Sequence, residues 1–203
     1  LPPASAALLP AGERPARLCK RLSSLCRVRL VDADDHEVPV GQPGELTIRG
    51  PALFSGYWNA DETNARDFRG GWFHLGDVFV RHADGTLDFV DRVQYLIKSG
   101  GENIYPAEIE RVLLAHPAVA DAAVVRRPDA HWGEVPVAFV ALNDAPCDAD
   151  TLADWCRAQL ARYKLPREFH FIALSDFPRS STGKIQRHEI ERRLLQDAQP
   201  GGR

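Results

Sequence analysis

The hydrophobic pattern of the chain changes once, close to Arg92, and this change limits the possible folds more than any other feature. From Val28 to Asp91 the sequence has short alternating or β-branched runs separated by DADDHE, GQPG and HADG, which is typical of an antiparallel sheet. After Arg92, strand-like runs alternate with amphipathic helices such as PAEIERVLLAHP and DADTLADWCRAQLARY, which indicates an α/β unit. We therefore predict an α+β protein with a β-rich unit, residues 1–91, and a smaller α/β unit, residues 92–203.

Composition and charge argue against several classes of protein. The 203 residues include 44% apolar residues and carry a net charge of -3, which does not favour a general nucleic-acid surface. No apolar run approaches the roughly 18 residues of a membrane span, and the first residues lack the pattern of a signal peptide. We therefore expect a cytoplasmic protein. The cysteines form no CxxC pair, so we expect reduced structural thiols and no metal site; they are Cys19, Cys26, Cys147 and Cys156.

Two charged residues of the β-rich half are candidate contacts for a sugar. Asp77 follows a glycine in GGWFHLGD, where we expect a strand to start, and its carboxylate can accept hydrogen bonds from vicinal hydroxyls. Arg92 follows Asp77 by the length of one hairpin, so that both side chains could face one ligand. From local sequence alone, structural roles explain these residues better than a ligand does: Asp77 as a turn residue, and Arg92 as its partner in a surface ion pair across the hairpin.

Gly100 and Gly101 follow an apolar run in IKSGGENIYPAEIE, where we predict a helix beginning at Pro106. In one interpretation the two glycines form a tight turn between strand and helix. In the other, their bare backbone allows a ligand to approach closely.

Two later stretches could present positive charge to an anion. Lys184 ends the Ser/Thr/Gly-rich loop of FPRSSTGKIQRHEI, which suits a compact, mobile cation, although a lone loop lysine is usually only solvated. The loop lacks the GxxxxGK pattern of nucleoside triphosphatases. The stretch ARYKLPREF, which contains Tyr163 and Arg167, could stack on a base and meet phosphates, but a helix end with a cationic last turn is at least as probable an interpretation.

Taken in order, four motifs resemble the C-terminal portion of the adenylate-forming enzymes of the AMP-binding superfamily, most closely the acyl-CoA and aryl-CoA synthetases. The motifs are GELTIRGPALFSGYWN, GWFHLGD, DRVQYLIKSGGENIYPAEIERVL and PRSSTGKIQRHEI, and the similarity covers roughly residues 28–196. Such enzymes, including those of fatty acid metabolism, convert a carboxylic acid and ATP to an acyl-adenylate and pyrophosphate, and then pass the acyl group to coenzyme A. The resemblance therefore implies ATP or AMP, coenzyme A, a small carboxylic acid, and Mg²⁺ with the triphosphate.

The resemblance also implies a role for each candidate residue. Asp77 would accept the ribose hydroxyls, Arg92 would be a second nucleotide contact, and Lys184 would be the catalytic cation that bridges acid and phosphate. Gln94 stands where the family has the hinge about which the small domain turns. The implied coenzyme A residues, with the glycines forming part of the pantetheine tunnel and Trp132 as a further candidate, are Gly100, Gly101, Glu102, Tyr163 and Arg167.

Several parts of the family pattern are absent from these 203 residues. They include the phosphate loop, the adenine-binding segment, most of the acid pocket and the ligands of Mg²⁺, so we expect a fragment that is inactive alone. Residues 1–91 would be the last subdomain of the N-terminal domain, and residues 92–203 the mobile lid. Leu75 and Asp91 stand at positions where the family usually has threonine and glycine, respectively. Rival interpretations are a domain that loads a carrier protein, a luciferase-like oxygenase, and a non-catalytic module that keeps part of the coenzyme A surface.

Overall fold

The computed structural model describes residues 19–143 and 145–197. The chain divides into two compact units, Leu1–Gln94 and Tyr95–Arg203, and the mixed α+β class is confirmed. The division falls shortly after the predicted boundary at 91/92, because Asp91 and Arg92 complete a strand of the first unit. The outer ends of both predicted units, residues 1–18 and 198–203, lie outside the described part.

The first unit contains a four-stranded antiparallel meander. Its strands, in spatial as well as sequence order, are β1 (Arg27–Val31), β2 (Pro43–Arg49), β3 (Phe73–Arg81) and β4 (Leu87–Arg92). Helix α1 (Asp61–Asp67) connects β2 to β3. One face of the sheet buries an apolar cluster, as the alternating sequence predicts, consisting of Leu30, Leu46, Phe79 and Leu87.

Strand β3 carries a bulge that ends at Asp77. Three residues of β3, Leu75–Asp77, lie opposite the single residue Leu46 of β2. Gly76 has a φ of +70°, a left-handed conformation that glycine adopts without strain. Asp77 is therefore inside a strand and not at its start, which corrects the sequence-based prediction. Gly76, the residue before it, forms part of the bulge.

The second unit is built around a five-stranded sheet. Its strands are β5 (Ile97–Ser99), β6 (Glu102–Ile104), β7 (Val119–Asp129), β8 (Gly133–Leu142) and β9 (Glu168–Phe171). The long antiparallel hairpin β7–β8 forms one side of the sheet. The other edge of β8 is shared by two strands, since β5 pairs with it at Gly133 and β9 runs parallel to it along residues 137–140.

The described residues of this unit also form three α-helices: α2 (Pro106–Leu114), α3 (Ala149–Arg157) and α4 (Arg187–Asp197). Helix α2 begins at Pro106, whose missing N–H costs nothing at a first helical position, and it buries the predicted apolar face. No helix in the described ranges is long and apolar enough to cross a membrane.

Helix α3 is capped and buried largely as its sequence predicts. The side chain of Asp148 accepts a hydrogen bond from the backbone of Thr151 at 2.8 Å, which satisfies one of the free amides of the first turn. Leu152 and Cys156 are fully buried. The helix ends at Arg157, earlier than predicted, so the apolar residues after it belong to the following segment.

Gly100 and Gly101 connect β5 to β6, with φ values of +59° and +87°. Positive φ at two successive residues is the signature of a tight hairpin turn. The predicted turn between a strand and a helix is therefore wrong, because a second short strand precedes the helix that begins at Pro106.

Candidate functional site

Asp77 and Arg92 are paired directly across the β3–β4 hairpin. Nε of Arg92 lies 3.0 Å from Oδ1 of Asp77 as an ion pair, but the two groups are not aligned as a hydrogen bond, and this buried oxygen receives none from the described residues. Burial raises the pKa of Asp77, Arg92 lowers it, and the nearby Glu45 carboxylate adds to the rise. A buried carboxylate oxygen without a donor is a natural acceptor for a ligand hydroxyl.

Glu45 on β2 fixes the backbone immediately before Asp77. Its Oε1 accepts a hydrogen bond from the backbone of Gly76 at 3.1 Å, and its Oε2 lies 3.0 Å from Nδ1 of the buried His74. This support was missed from the sequence, because nothing local distinguishes Glu45 from a surface glutamate. The carboxylate thus stabilises the bulge that orients Asp77.

Four of the five predicted coenzyme A residues line one groove of the second unit, with a volume of about 750 Å³. This volume lies within the range of roughly 300–1,000 Å³ that is usual for ligand sites. The groove lies beside the shared edge of β8, and its predicted lining residues are Gly100, Glu102, Tyr163 and Arg167, together with Trp132. Gly101 is not among the residues that line it.

The groove is cationic and aromatic. Arg157 and Arg162 line it in addition to Arg167, and the guanidinium carbon of Arg167 lies 5.8 Å from the centre of the Trp132 ring. Arg162 lies within the basic stretch ARYKLPREF, whereas Arg157 could not be recognised from the sequence because a charged residue on a helix gives no distinct signal. Three arginines beside aromatic rings suit a phosphorylated nucleotide.

An ion pair supports the wall of the groove that carries Tyr163. Nζ of Lys164 lies 2.8 and 2.7 Å from the two carboxylate oxygens of Glu108 on α2. The same ammonium lies 5.6 Å from the centre of the Tyr163 ring. These contacts hold the segment between α3 and β9 against helix α2.

Trp132 occupies the space beside Gly100. A Cβ atom at Gly100 would lie 2.6 Å from Cε3 of Trp132, whereas a Cβ at Gly101 would meet nothing within 4 Å. The backbone of Gly100 also donates a hydrogen bond to the carbonyl of Trp132 at 2.8 Å. An internal contact therefore accounts for the glycine at position 100, and only Gly101 faces open space. A pantetheine tunnel along these glycines remains a prediction.

Lys184 follows a tight turn held by backbone hydrogen bonds. Gly183 donates to the carbonyl of Ser180 at 2.8 Å, and Ser180 donates to the carbonyl of Lys184 at 2.9 Å. The ammonium of Lys184 has no hydrogen bond or ion pair with any residue in the described ranges. The turn therefore presents an unneutralised cation.

Gln94 is exposed and lies in a single 3₁₀ turn, Val93–Tyr95. It is the last residue of the first compact unit. A hinge between domains is found at such a position, and this role for Gln94 stays a prediction.

One group of potential metal ligands occurs among residues 19–143 and 145–197, formed by the exposed side chains of Asp32, Asp34 and His36. Oδ1 of Asp32 accepts hydrogen bonds from the backbones of the other two residues at 2.9 Å. A side-chain-stabilised turn explains this arrangement without an ion, and we assign no metal to it.

Two family models match the chain. The AMP-binding enzyme model matches residues 4–58, and the model of the AMP-binding enzyme C-terminal domain matches residues 108–184. With the fold and the four ordered motifs, these matches identify the class of protein. The chain belongs to the AMP-binding family of adenylate-forming enzymes, and its second unit contains the C-terminal domain of that family.

Two curated relatives are named as a CoA ligase and a CoA synthase. The chain is 42% identical over 160 residues to the 2-succinylbenzoate–CoA ligase of Bacillus licheniformis, a match that covers 79% of this chain and 33% of that protein. It is 43% identical over 168 residues to the feruloyl-CoA synthase of an Amycolatopsis species, covering 82% of this chain and 34% of that protein. The chain thus spans about a third of the length of these relatives.

The fold also matches a solved enzyme. The o-succinylbenzoate CoA synthetase of Bacillus subtilis, in complex with its acyl-adenylate intermediate, superposes with a TM-score of 0.75 at 38% identity, covering 83% of this chain and 34% of that one. The same enzyme in complex with ATP and magnesium ion gives a TM-score of 0.74 at 37% identity over the same shares of the two chains. These ligands belong to that protein.

Proposed function

We propose that this chain is the C-terminal third of a cytoplasmic, ATP-dependent carboxylic acid–CoA ligase, called here the parent ligase. The reaction would convert acid, ATP and coenzyme A to acyl-CoA, AMP and pyrophosphate through an acyl-adenylate. Residues 1–91 would belong to the large N-terminal domain, the rest of which is the obligatory partner, and residues 92–203 would form the mobile lid. The CoA-ligase names of the relatives support this proposal.

The groove beside β8 carries the proposal. Coenzyme A combines an adenine ring and several phosphates with a long neutral arm that ends in a thiol. The arginines Arg157, Arg162 and Arg167 match the phosphates, and the rings of Trp132 and Tyr163 offer surfaces for the adenine. A domain that loads a carrier protein would not need three arginines to bind a nucleotide. The groove therefore favours free coenzyme A as the acceptor.

The adenylation residues have separate proposed roles. The donor-free oxygen of Asp77 would accept a ribose hydroxyl, and Arg92 would be a second nucleotide contact. Lys184 would stabilise negative charge as the acid carboxylate attacks the α-phosphorus and pyrophosphate leaves. Mg²⁺ would accompany the triphosphate, held by residues outside this sequence.

The acid is proposed only as a carboxylic acid. Two relatives with nearly equal identity, 42% and 43%, are named for different acids, 2-succinylbenzoate and ferulate. Nearly equal identity to ligases that are named for different acids gives no basis for choosing one acid. We propose that most of the acid pocket lies in the parent ligase outside this sequence, as the resemblance implies.

Calorimetric titration of the 203-residue chain with coenzyme A, in the absence of ATP, tests the groove. We expect binding that is weakened about tenfold by Arg167→Ala, and weaker binding of dephospho-CoA than of coenzyme A. Arg192→Ala is the matched control, because Arg192 is exposed on α4 and is not among the groove residues. Absence of binding, or equal effects of both substitutions, would overturn the assignment of the groove.

A second assay tests the dependence on the parent ligase. We expect no acid-dependent ATP–pyrophosphate exchange from the 203-residue chain alone, because Lys184 then has no positioned triphosphate to stabilise. Exchange at the level of a complete synthetase would contradict this expectation. Coenzyme A binding without activity in the parent ligase would instead favour a non-catalytic binding module.

A further inference from the structure

Arginines on both sides of the turn that carries Lys184 attach it to other elements of the second unit. Before the turn, Arg179 forms an ion pair with Asp121 of β7 and donates a hydrogen bond to the carbonyl of Gly183 at 3.0 Å. After the turn, Arg187, the first residue of α4, binds Glu110 of α2. The cation is therefore flanked by two charge-assisted attachments.

The attachment by Glu110 is buried and uses both carboxylate oxygens. Glu110 is 8% exposed, and its Oε1 accepts hydrogen bonds from the backbone of Val124 at 2.8 Å and from Nε of Arg187 at 2.9 Å. A second guanidinium nitrogen of Arg187 donates to Oε2. Such a bidentate pair fixes direction as well as distance. It fastens α2, β7 and the start of α4 to one another.

Arg187 also contacts the first residue of the second unit. Its guanidinium carbon lies 4.7 Å from the centre of the Tyr95 ring, within the distance of a cation–π interaction. Tyr95 directly follows Gln94 in the chain. The side chain of Arg187 thus connects the segment after the Lys184 turn with Glu110 of α2 and with Tyr95, the residue after the proposed hinge.

We propose that Glu110 and Arg187 are positioning residues that hold the Lys184 turn rigidly on the second unit and fasten it to Tyr95. This inference rests on the adenylation role proposed for Lys184. Backbone hydrogen bonds fix the shape of the turn itself, whereas catalysis by a single charge also depends on how the turn is placed on the unit. A buried ion pair contributes little net stability compared with apolar residues, so orientation is the better explanation of its presence here.

Hydrogen exchange on the 203-residue chain tests the physical part of the inference. In Arg187→Lys, which keeps the charge but loses the planar fork, we expect the amides of Gly183, Lys184 and Gln186 to exchange about tenfold faster. Amides of the β7–β8 hairpin should keep their protection. Arg192→Lys is the matched control, since Arg192 pairs with Glu189 on the exposed surface of the same helix.

A double variant tests the same prediction without leaving an unpaired buried charge, which could itself unfold the unit. Glu110→Gln combined with Arg187→Met keeps an acceptor for Val124 and removes both charges. It should show the same local loss of protection with a folded sheet. Unchanged exchange in the turn of both variants would overturn the proposal, and so would faster exchange spread evenly over the whole unit.

The functional part is measured in the parent ligase. Arg187→Lys should lower the kcat of acid-dependent pyrophosphate exchange about tenfold, while thioester formation from preformed acyl-adenylate is retained. Equal loss in both half-reactions would indicate a merely structural role and overturn the proposal. If the unsubstituted parent ligase shows no pyrophosphate exchange, the proposed function fails, whereas hydrogen exchange still decides whether Glu110 and Arg187 hold the turn.

Discussion

The ring of Trp132 occupies the space that a side chain at Gly100 would need, and the backbone carbonyl of Trp132 accepts a hydrogen bond from the Gly100 amide at 2.8 Å. A β-carbon at position 100 would come within 2.6 Å of the ring. The hairpin turn β5–β6 and the loop before β8 therefore fit together only when residue 100 has no side chain.

Gly100→Ala should destabilise the second unit by about 3 kcal/mol, because it adds a clash to an unfavourable positive φ. Gly101→Ala is the matched control, with positive φ but open space, and should cost about 1 kcal/mol. Urea unfolding measures both. Adding Trp132→Ala to Gly100→Ala should remove the clash, so the two substitutions should be less destabilising together than their sum. Strict additivity would show that the ring does not exclude a side chain at position 100.

Asp77→Asn should stabilise the first unit at pH 7 by up to about 1 kcal/mol, while weakening AMP binding in the parent ligase. Because burial raises the pKa of Asp77 in the folded state, its contribution to stability is fully present below its unfolded pKa and is lost as the pH rises. Asparagine stays neutral throughout. The stability difference between the two proteins should therefore shrink from pH 7 to pH 4. A constant difference across this range would contradict the raised pKa.

Cys156 should make the second unit lose stability in alkaline solution. Burial raises the pKa of this thiol from 9.0 to about 11, so the unfolded chain ionises first. The contribution of Cys156 is present below pH 9 and should fall by about 2 kcal/mol as the pH rises towards 11. Cys156→Ala should lack this loss, and the difference between the pH profiles of the two proteins isolates it from other titrating groups. At pH 7.5 the native thiol should also resist alkylation.

Lys184→Ala in the parent ligase should slow adenylation about a thousandfold. One charge near 4 Å from an anion is worth on the order of 4 kcal/mol at a surface-like dielectric. The measurement compares pyrophosphate exchange with thioester formation from preformed acyl-adenylate, which should be spared. Equal damage to both half-reactions would remove Lys184 from its proposed role.

Gln94→Pro in the parent ligase should leave adenylation intact and slow transfer to coenzyme A steeply. Proline fixes φ near -65° and removes the backbone donor, whereas a hinge must change its backbone angles. Rapid-quench timing of the two half-reactions, with Gln94→Ala as the control, measures the effect. Retention of both rates, or an alanine variant as damaged as the proline variant, would show that Gln94 is not a hinge.

The periodic parts of this fold could be predicted from sequence because their signals are local. The buried face of α2 and the alternation in β2 each follow from the spacing of apolar residues within a few turns or pleats. The cap at Asp148 is likewise a short-range signal. These features depend on neighbours in the chain, and a single sequence contains them.

Features that depend on distant partners could not be predicted. The bulge before Asp77 is a mismatch between two strands and is supported by Glu45, so neither strand alone reveals it. The same holds for Gly100, whose requirement comes from Trp132, and for Arg187, whose partner Glu110 lies on another helix. Motif resemblance pointed to five of the thirteen residues that line the groove, but it gave no reason for the contacts that hold them.

The shared edge of β8 has a consequence for how such proteins can diversify. The groove takes residues from the β5–β6 turn, from Trp132 in the β7–β8 loop, from α3 and from the segment between α3 and β9, while β7 and β8 pair with each other along ten positions. Connecting segments tolerate substitution and insertion better than the paired strands that support them. Substitutions within residues 158–167, which contribute Arg162, Tyr163 and Arg167 to the groove, could therefore change what the groove binds while the paired strands are kept.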